Sequence, residues 1–196
     1  VVSNFRNRDI AAKGQGAPLV PAFHKDLFFS KTKNRVILNI GGISNITYLP
    51  INGPINGFDC GPGNILMDHW IKLNRNLNFD KNGNWAKKGQ VIDDLLKYFL
   101  KDKFFNKTPP KSTGRDLFNL DWIKKGIKKT YSPEDIQRTL IELTAISIID
   151  AIKKNCSGAD EIYLCGGGAK NVYLLEILKN KINLSIKTTR DLNLPE

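Results

Sequence analysis

The chain has 196 residues, 41% of them hydrophobic and 25% charged, with 30 Lys and Arg against 19 Asp and Glu, a net charge of +11 and a pI near 9.6. That length can bury a full core in one domain or two small ones, and lysines dispersed along the chain without a basic-aromatic motif argue against a dedicated nucleic-acid surface. No apolar run approaches the roughly 20 residues of a membrane helix, and Cys60, Cys156 and Cys165, odd in number and without C-x-x-C spacing, argue against a disulfide framework or a zinc site and fit a reducing cytoplasm. The chain opens on Val1 and its only methionine is Met67, so a fragment is expected, with no signal peptide in view.

From Ala17 to Phe29, the spacing of Leu19, Val20, Phe23, Leu27 and Phe28 predicts a helix, with Pro18 in its first turn. Strands are then predicted over Arg35 to Ile40, Asn45 to Leu49 and Ile55 to Asp59, separated by Gly41-Gly42 and by Pro50-Ile51-Asn52-Gly53-Pro54. Connections this short force antiparallel pairing. After Gly61-Pro62-Gly63 a helix is expected from about Asn64 to Asn74, burying Ile65, Leu66, Met67, Trp70 and Leu73. Shorter amphipathic helices follow around Val91 to Leu100 and Leu117 to Ile127, with a proline-rich loop between them. Ser132 as N-cap and Pro133 at the first helical position open a long helix whose apolar residues imply burial on more than one side. A strand over Glu161 to Cys165, a helix over Lys170 to Lys181 and a strand over Leu184 to Thr188 complete an α/β layer with a mixed sheet and a helical insertion.

Three segments carry chemical potential. Asn39-Ile40-Gly41-Gly42-Ile43-Ser44-Asn45 is a strand-turn-strand unit in which glycine, tolerant of positive φ and free of Cβ, lets backbone N–H groups approach a phosphate. Phe58-Asp59-Cys60-Gly61-Pro62-Gly63-Asn64 ends a strand and opens a helix. Asp59 there is either a general base or the cap of a tight turn, and the amides after it can hold a polar ligand. Gly166-Gly167-Gly168 is either a surface beneath an adenine or ribose or a plain strand-helix turn.

Other residues invite rival readings. Cys60 beside a helix N-terminus could be a thiolate nucleophile, but neither His24 nor His69 is a convincing partner, and both histidines are expected at surface or half-buried positions. In Pro109-Pro110-Lys111-Ser112-Thr113-Gly114-Arg115-Asp116, Lys111 and Arg115 could pair with an anionic ligand, or Ser112 or Thr113 could cap the following helix. Arg6 stands out in the amino-terminal stretch for its planar fork.

Taken in order, Asp9-Ile10-Ala11, Gly14-Gln15-Gly16-Ala17-Pro18-Leu19-Val20-Pro21-Ala22-Phe23-His24, Leu38-Asn39-Ile40-Gly41-Gly42-Ile43-Ser44-Asn45, Phe58-Asp59-Cys60-Gly61-Pro62-Gly63-Asn64, Pro110-Lys111-Ser112-Thr113-Gly114-Arg115 and Cys165-Gly166-Gly167-Gly168 resemble the anhydro-N-acetylmuramic acid kinase family. The resemblance spans essentially the whole chain. It implies an RNase H-like lobe of the actin/hexokinase ATPase type, with residues 1 to about 33 closing a first lobe and crossing over, residues 34–196 forming most of the second, and a helical insertion near 78–131. It implies ATP as co-substrate with Mg2+, an anhydro amino sugar as substrate, a cytoplasmic homodimer, and no protein-held metal. Asp59 matches the family's proposed base. Arg6, Gln15, Gly61, Pro62, Gly63 and Asn64 fall on the sugar side, and Asn39, Gly41, Gly42, Asn45, Gly166, Gly167 and Gly168 on the nucleotide side. Lys13, Cys60 and Asp116 depart from the family's usual Gly, Thr and Glu. The family's first phosphate loop would precede Val1 and its closing helix would follow Glu196, so these residues alone are expected to show no turnover. Open alternatives are another hexose kinase of the same fold and a noncatalytic nucleotide-binding module.

Overall fold

A computed structural model describes residues 21–188, together with Asn7, Ala11, Lys13 and Asp191. Arg6 and Gln15 lie outside the described residues. Five strands, β1 (Arg35–Ile40), β2 (Ile43–Leu49), β3 (Asn56–Pro62), β4 (Glu161–Cys165) and β5 (Ser185–Thr188), form one sheet in the order β3-β2-β1-β4-β5. The two tight turns impose antiparallel pairing on β1-β2 and β2-β3, whereas β4 and β5 return through helices and pair parallel, giving the expected mixed sheet.

The helices are α1 (Pro21–Phe28), α2 (Ile65–Arg75), α3 (Asp93–Leu100), α4 (Leu120–Lys124), α5 (Pro133–Asn155) and α6 (Val172–Lys181). One face of the sheet presents Val36, Leu38, Ile40, Ile46, Phe58, Ile162 and Leu164 to a large core shared with α2, α3, α5 and α6. The other presents Ile37, Leu49 and Tyr163 to Phe28 of α1. Because β1 is covered on both faces, it reads as a near-continuous apolar run rather than an alternation. Segment 78–131 adds short 3-10 turns, α3 and α4, and plugs into the main core through Trp85, Phe99, Phe118 and Trp122. Phe99 stacks on Trp122 at 4.5 Å between centroids.

α5 opens as its sequence demands: Ser132 Oγ accepts the Asp135 amide at 3.1 Å and Pro133 occupies the first turn. Other boundaries differ. β2 begins at Ile43, and β3 runs on to Pro62 because Ile43 and Ser44 pair with Pro62 and Gly61 across a register shift at Ser44/Asn45. Asp59 therefore lies inside β3 rather than at its end. Leu73 is 54% exposed, since the last turn of α2 overhangs the core, and Ile71 fills the inner position instead. α4 is shorter than its apolar spacing suggests, and the segment after Gly166 makes a 3-10 turn, Gly167–Lys170, before Asn171 caps α6. Neither Ser112 nor Thr113 caps α4. Asn119 does so, accepting the Trp122 amide at 2.9 Å. His24 is only 7% exposed, contrary to expectation, because α1 lies across the sheet and sets its Nδ1 2.8 Å from Thr47 Oγ1. Among the described residues, no helix is long and apolar enough to cross a membrane.

Candidate functional site

The C-terminal ends of β1, β3 and β4 emerge at one end of the sheet, where open α/β sheets place their ligands. Three glycine bends meet there. The Gly63 and Ile65 amides both donate to the Gly42 carbonyl, at 2.8 and 3.1 Å, and the Asn64 amide donates to the Gly41 carbonyl at 2.8 Å. Asn64 Nδ2 reaches the Ile40 carbonyl at 3.4 Å. From the other side, Gly166 turns with φ +83° against Asn39, and Gly168 packs so tightly on Ile40 that a Cβ at either position would collide with its neighbour. A Cβ on Gly63 would likewise strike the Gly41 carbonyl.

Gly41 and Gly42 themselves are a different case. Neither adopts a positive φ, contrary to the conformational reason expected for them, and a Cβ there would meet nothing closer than 3.5 Å at Gly41 and 3.8 Å at Gly42. The protein itself leaves room for a side chain at both.

Asn39 pairs with Asn45, and Asn45 with Asp59, so the three polar residues form a row across β1, β2 and β3 on one face of the sheet. Asp59 is 5% exposed. Its Oδ2 accepts the Ser112 hydroxyl at 3.0 Å and the Thr113 amide at 2.8 Å, while its own amide donates to the Lys111 carbonyl at 3.0 Å. The proline-rich loop is thus a clasp on this carboxylate. Burial pushes the Asp59 pKa above the ordinary carboxylate range, opposed by the Thr113 amide, the Ser112 hydroxyl and the Lys111 charge. Lys111 points away, into the main-core side of the sheet, and is not a free cation for this site.

Cys60, next along β3, faces the main core and is fully buried, with its thiol pushed far up by desolvation. It does not serve as a nucleophile.

Beside the bends lies a cavity of about 510 Å³ whose walls include Asn64, Asp68, Phe79, Lys81, Gly167 and Asn171. The N-terminus of α2 opens next to it, with Asn64 as a cap residue making no side-chain capping bond. Phe79 is 63% exposed and supplies an apolar wall. Asn64 and Gly167 of this lining stand in the glycine motifs singled out in the sequence, Asn64 on the expected sugar side and Gly167 on the expected nucleotide side. Asp68, Phe79 and Asn171 were not singled out, because they sit in helical or polar segments without motif character. The signal available for Phe79 was an aromatic residue stranded in the polar run Asn76 to Asn84.

The described residues bring together Asn39, Gly41, Gly42, Asn45, Asp59, Gly61, Pro62, Gly63, Asn64, Gly166, Gly167 and Gly168 at this end of the sheet. The family profile for anhydro-N-acetylmuramic acid kinase matches residues 1–196. A curated relative of that name from Pseudomonas fluorescens (strain Pf0-1) is 49% identical over 192 residues, covering 96% of this chain and 53% of the relative. Another from Nitrosospira multiformis (strain ATCC 25196 / NCIMB 11849 / C 71) is 51% identical over 183 residues, covering 93% and 50%. The chain spans about half the length of the curated relatives it matches. Among solved structures, xylulose kinase from Rhodospirillum rubrum superposes with a TM-score of 0.53 at 15% identity, covering 86% of this chain and 37% of that one. The activator of the 2-hydroxyisocaproyl-CoA dehydratase from Clostridium difficile with bound ADPNP gives 0.50 at 17%, covering 86% and 57%. These two share the fold of the described residues, a mixed α/β sheet flanked by helices. The chain belongs to the anhydro-N-acetylmuramic acid kinase family.

Proposed function

We propose that the chain is the larger part of the second lobe of an ATP-dependent kinase that opens 1,6-anhydro-N-acetylmuramic acid and phosphorylates its O6, with residues 1 to about 33 closing the first lobe. The observation that carries this reading is the convergence of three glycine bends beside a buried aspartate whose hydrogen bonds to the protein, among the described residues, fall on Oδ2. Gly41 and Gly42, roomy without a conformational need for glycine, admit phosphate oxygens. The 510 Å³ cavity takes the nucleoside, against Phe79 and Gly167.

Asp59 is the base. A water attacks the anomeric carbon as its proton passes to the Asp59 carboxylate, the bond from that carbon to O6 breaks, and O6 takes the γ-phosphoryl group as the bond to the β-phosphate oxygen breaks. Ser112 and Thr113 fix Oδ2 and leave Oδ1, which has no protein hydrogen bond among the described residues, to face the water. Burial brings the carboxylate nearer the operating pH, where a base both exists in its charged form and holds a proton. With Asp59 engaged as the base, the polar row leaves only the amide oxygens of Asn39 and Asn45 for a magnesium ion, which would be carried mainly by phosphate oxygens and water. When bound, such an ion neutralises the phosphate charge.

Arg6 and Gln15 belong to the sugar-facing side in this reading, and a cytoplasmic homodimer completes it. The test is an assay of the full-length polypeptide with ATP and either the anhydro sugar or N-acetylglucosamine. Formation of N-acetylmuramic acid 6-phosphate only from the former is the expected result, and phosphorylation of N-acetylglucosamine alone would assign an ordinary hexose kinase.

A further inference from the structure

A second cavity, of about 320 Å³, lies behind β3 on its α5 side, walled by Cys60, Phe105, Thr108, Lys111, Ala151 and Lys154. Lys111 is 7% exposed. Its ammonium sits 4.7 Å from the Phe104 ring centroid and donates one long bond, 3.4 Å, to the Phe104 carbonyl. An ammonium carries three donors, and burying one with a single weak acceptor is costly.

Two more cations converge here. Lys107 and Lys154 rim the same cavity and act on Lys111 as like charges. One carboxylate, Asp150, lines it, at an exposed position and without an ion pair among the described residues. Burial first, then Lys154 and Lys107, push the Lys111 pKa down against the opposing pull of Asp59, so an arriving anion offsets both the burial and the like charges around this ammonium. Asn106 and Thr108 add neutral donors, while Leu100, Phe105 and Ala151 give the cavity an apolar flank.

We propose that this cavity is a second binding site, for a phosphate group, either inorganic phosphate or the phosphoryl end of a phosphomonoester. Lysine suits phosphate as a point charge, and three lysines against one carboxylate favour a dianion over a carboxylate ligand. The volume exceeds what a bare phosphate fills, leaving room for a small polar body. The site stands whether or not Asp59 is the base, but the two are joined, since the Lys111 carbonyl accepts the Asp59 amide at 3.0 Å.

The test is 15N-resolved NMR of the full chain titrated with inorganic phosphate and, separately, with glucose 6-phosphate, at constant ionic strength. Saturable shifts are expected at the amides of Asn106, Lys107, Thr108 and Lys111, accompanied by the Asp59 amide. Lys111→Met, which keeps length and removes the charge, and Lys154→Gln, an exposed change that cannot disturb the core, should each weaken binding about tenfold or more. Tighter binding of glucose 6-phosphate assigns a phosphomonoester, and equal binding assigns free phosphate. Shifts confined to the Gly41–Gly42 and Gly166–Gly168 bends, or unchanged affinity in Lys154→Gln and in folded Lys111→Met, would overturn the site.

Discussion

The Thr113 amide donates a 2.8 Å hydrogen bond to Oδ2 of Asp59, 54 positions earlier in the chain. With the Ser112 hydroxyl 3.0 Å from the same oxygen, this contact decides which part of the carboxylate is anchored and which is offered. A turn-capping aspartate would bond its own following amides. Asp59 instead bonds the remote loop at Ser112 and Thr113.

Asp59→Asn should keep the clasp, because the amide oxygen can accept both donors, and should change stability by less than about 1 kcal/mol. In the complete polypeptide nucleotide binding is expected to persist while ring opening falls about 10²- to 10⁴-fold, the usual share of a general base. Calorimetric nucleotide titration alongside product assay checks both halves, and wild-type turnover would remove Asp59 from the role.

Ser112→Ala deletes a donor that lowers the Asp59 pKa, so the carboxylate should bind its proton more tightly still. The acid limb of the kcat/KM profile should move to higher pH, at a stability cost of about 1–2 kcal/mol for the lost charge-assisted bond. A pH-rate profile that does not move would show that the acid limb belongs to another group.

Gly63→Ala and Gly42→Ala should part company. At Gly63 the new methyl collides with the Gly41 carbonyl, so the two bends must separate and stability should drop by more than about 2 kcal/mol. At Gly42 it meets only Ile65 Cβ at 3.8 Å, so the melting temperature should hold while nucleotide affinity falls about tenfold or more. Thermal melts and nucleotide titrations on both variants measure the contrast. Intact affinity in Gly42→Ala would mean that no phosphate approaches this bend.

Asp68, in the wall of the larger cavity, has its pKa raised from 3.8 to about 6 by burial and then by the Asp80 charge. A carboxyl raised in the folded state contributes stability that is complete below its unfolded pKa and is lost as pH rises through its folded one. Wild-type protein should therefore lose stability relative to Asp68→Asn between about pH 4 and pH 6, the two melting curves diverging as pH increases. Parallel melting temperatures across that window would contradict this environment for Asp68.

Much of this was legible along the chain. Gly41-Gly42 fixed an antiparallel β1-β2 hairpin because so short a connection permits nothing else, and Ser132-Pro133 set the start of α5 through local bonds that involve only neighbours. Contacts between remote segments were not legible. That Ser112 and Thr113 clasp Asp59 rather than cap α4, that Lys111 turns into a cavity on the far side of β3, and that His24 is sealed against Thr47 all depend on which surfaces the sheet brings together. Hydrogen bonding and steric preference within a few residues act before folding and are written in sequence order, whereas burial and charge at a site are properties of the assembled layers and arise only when those layers pack.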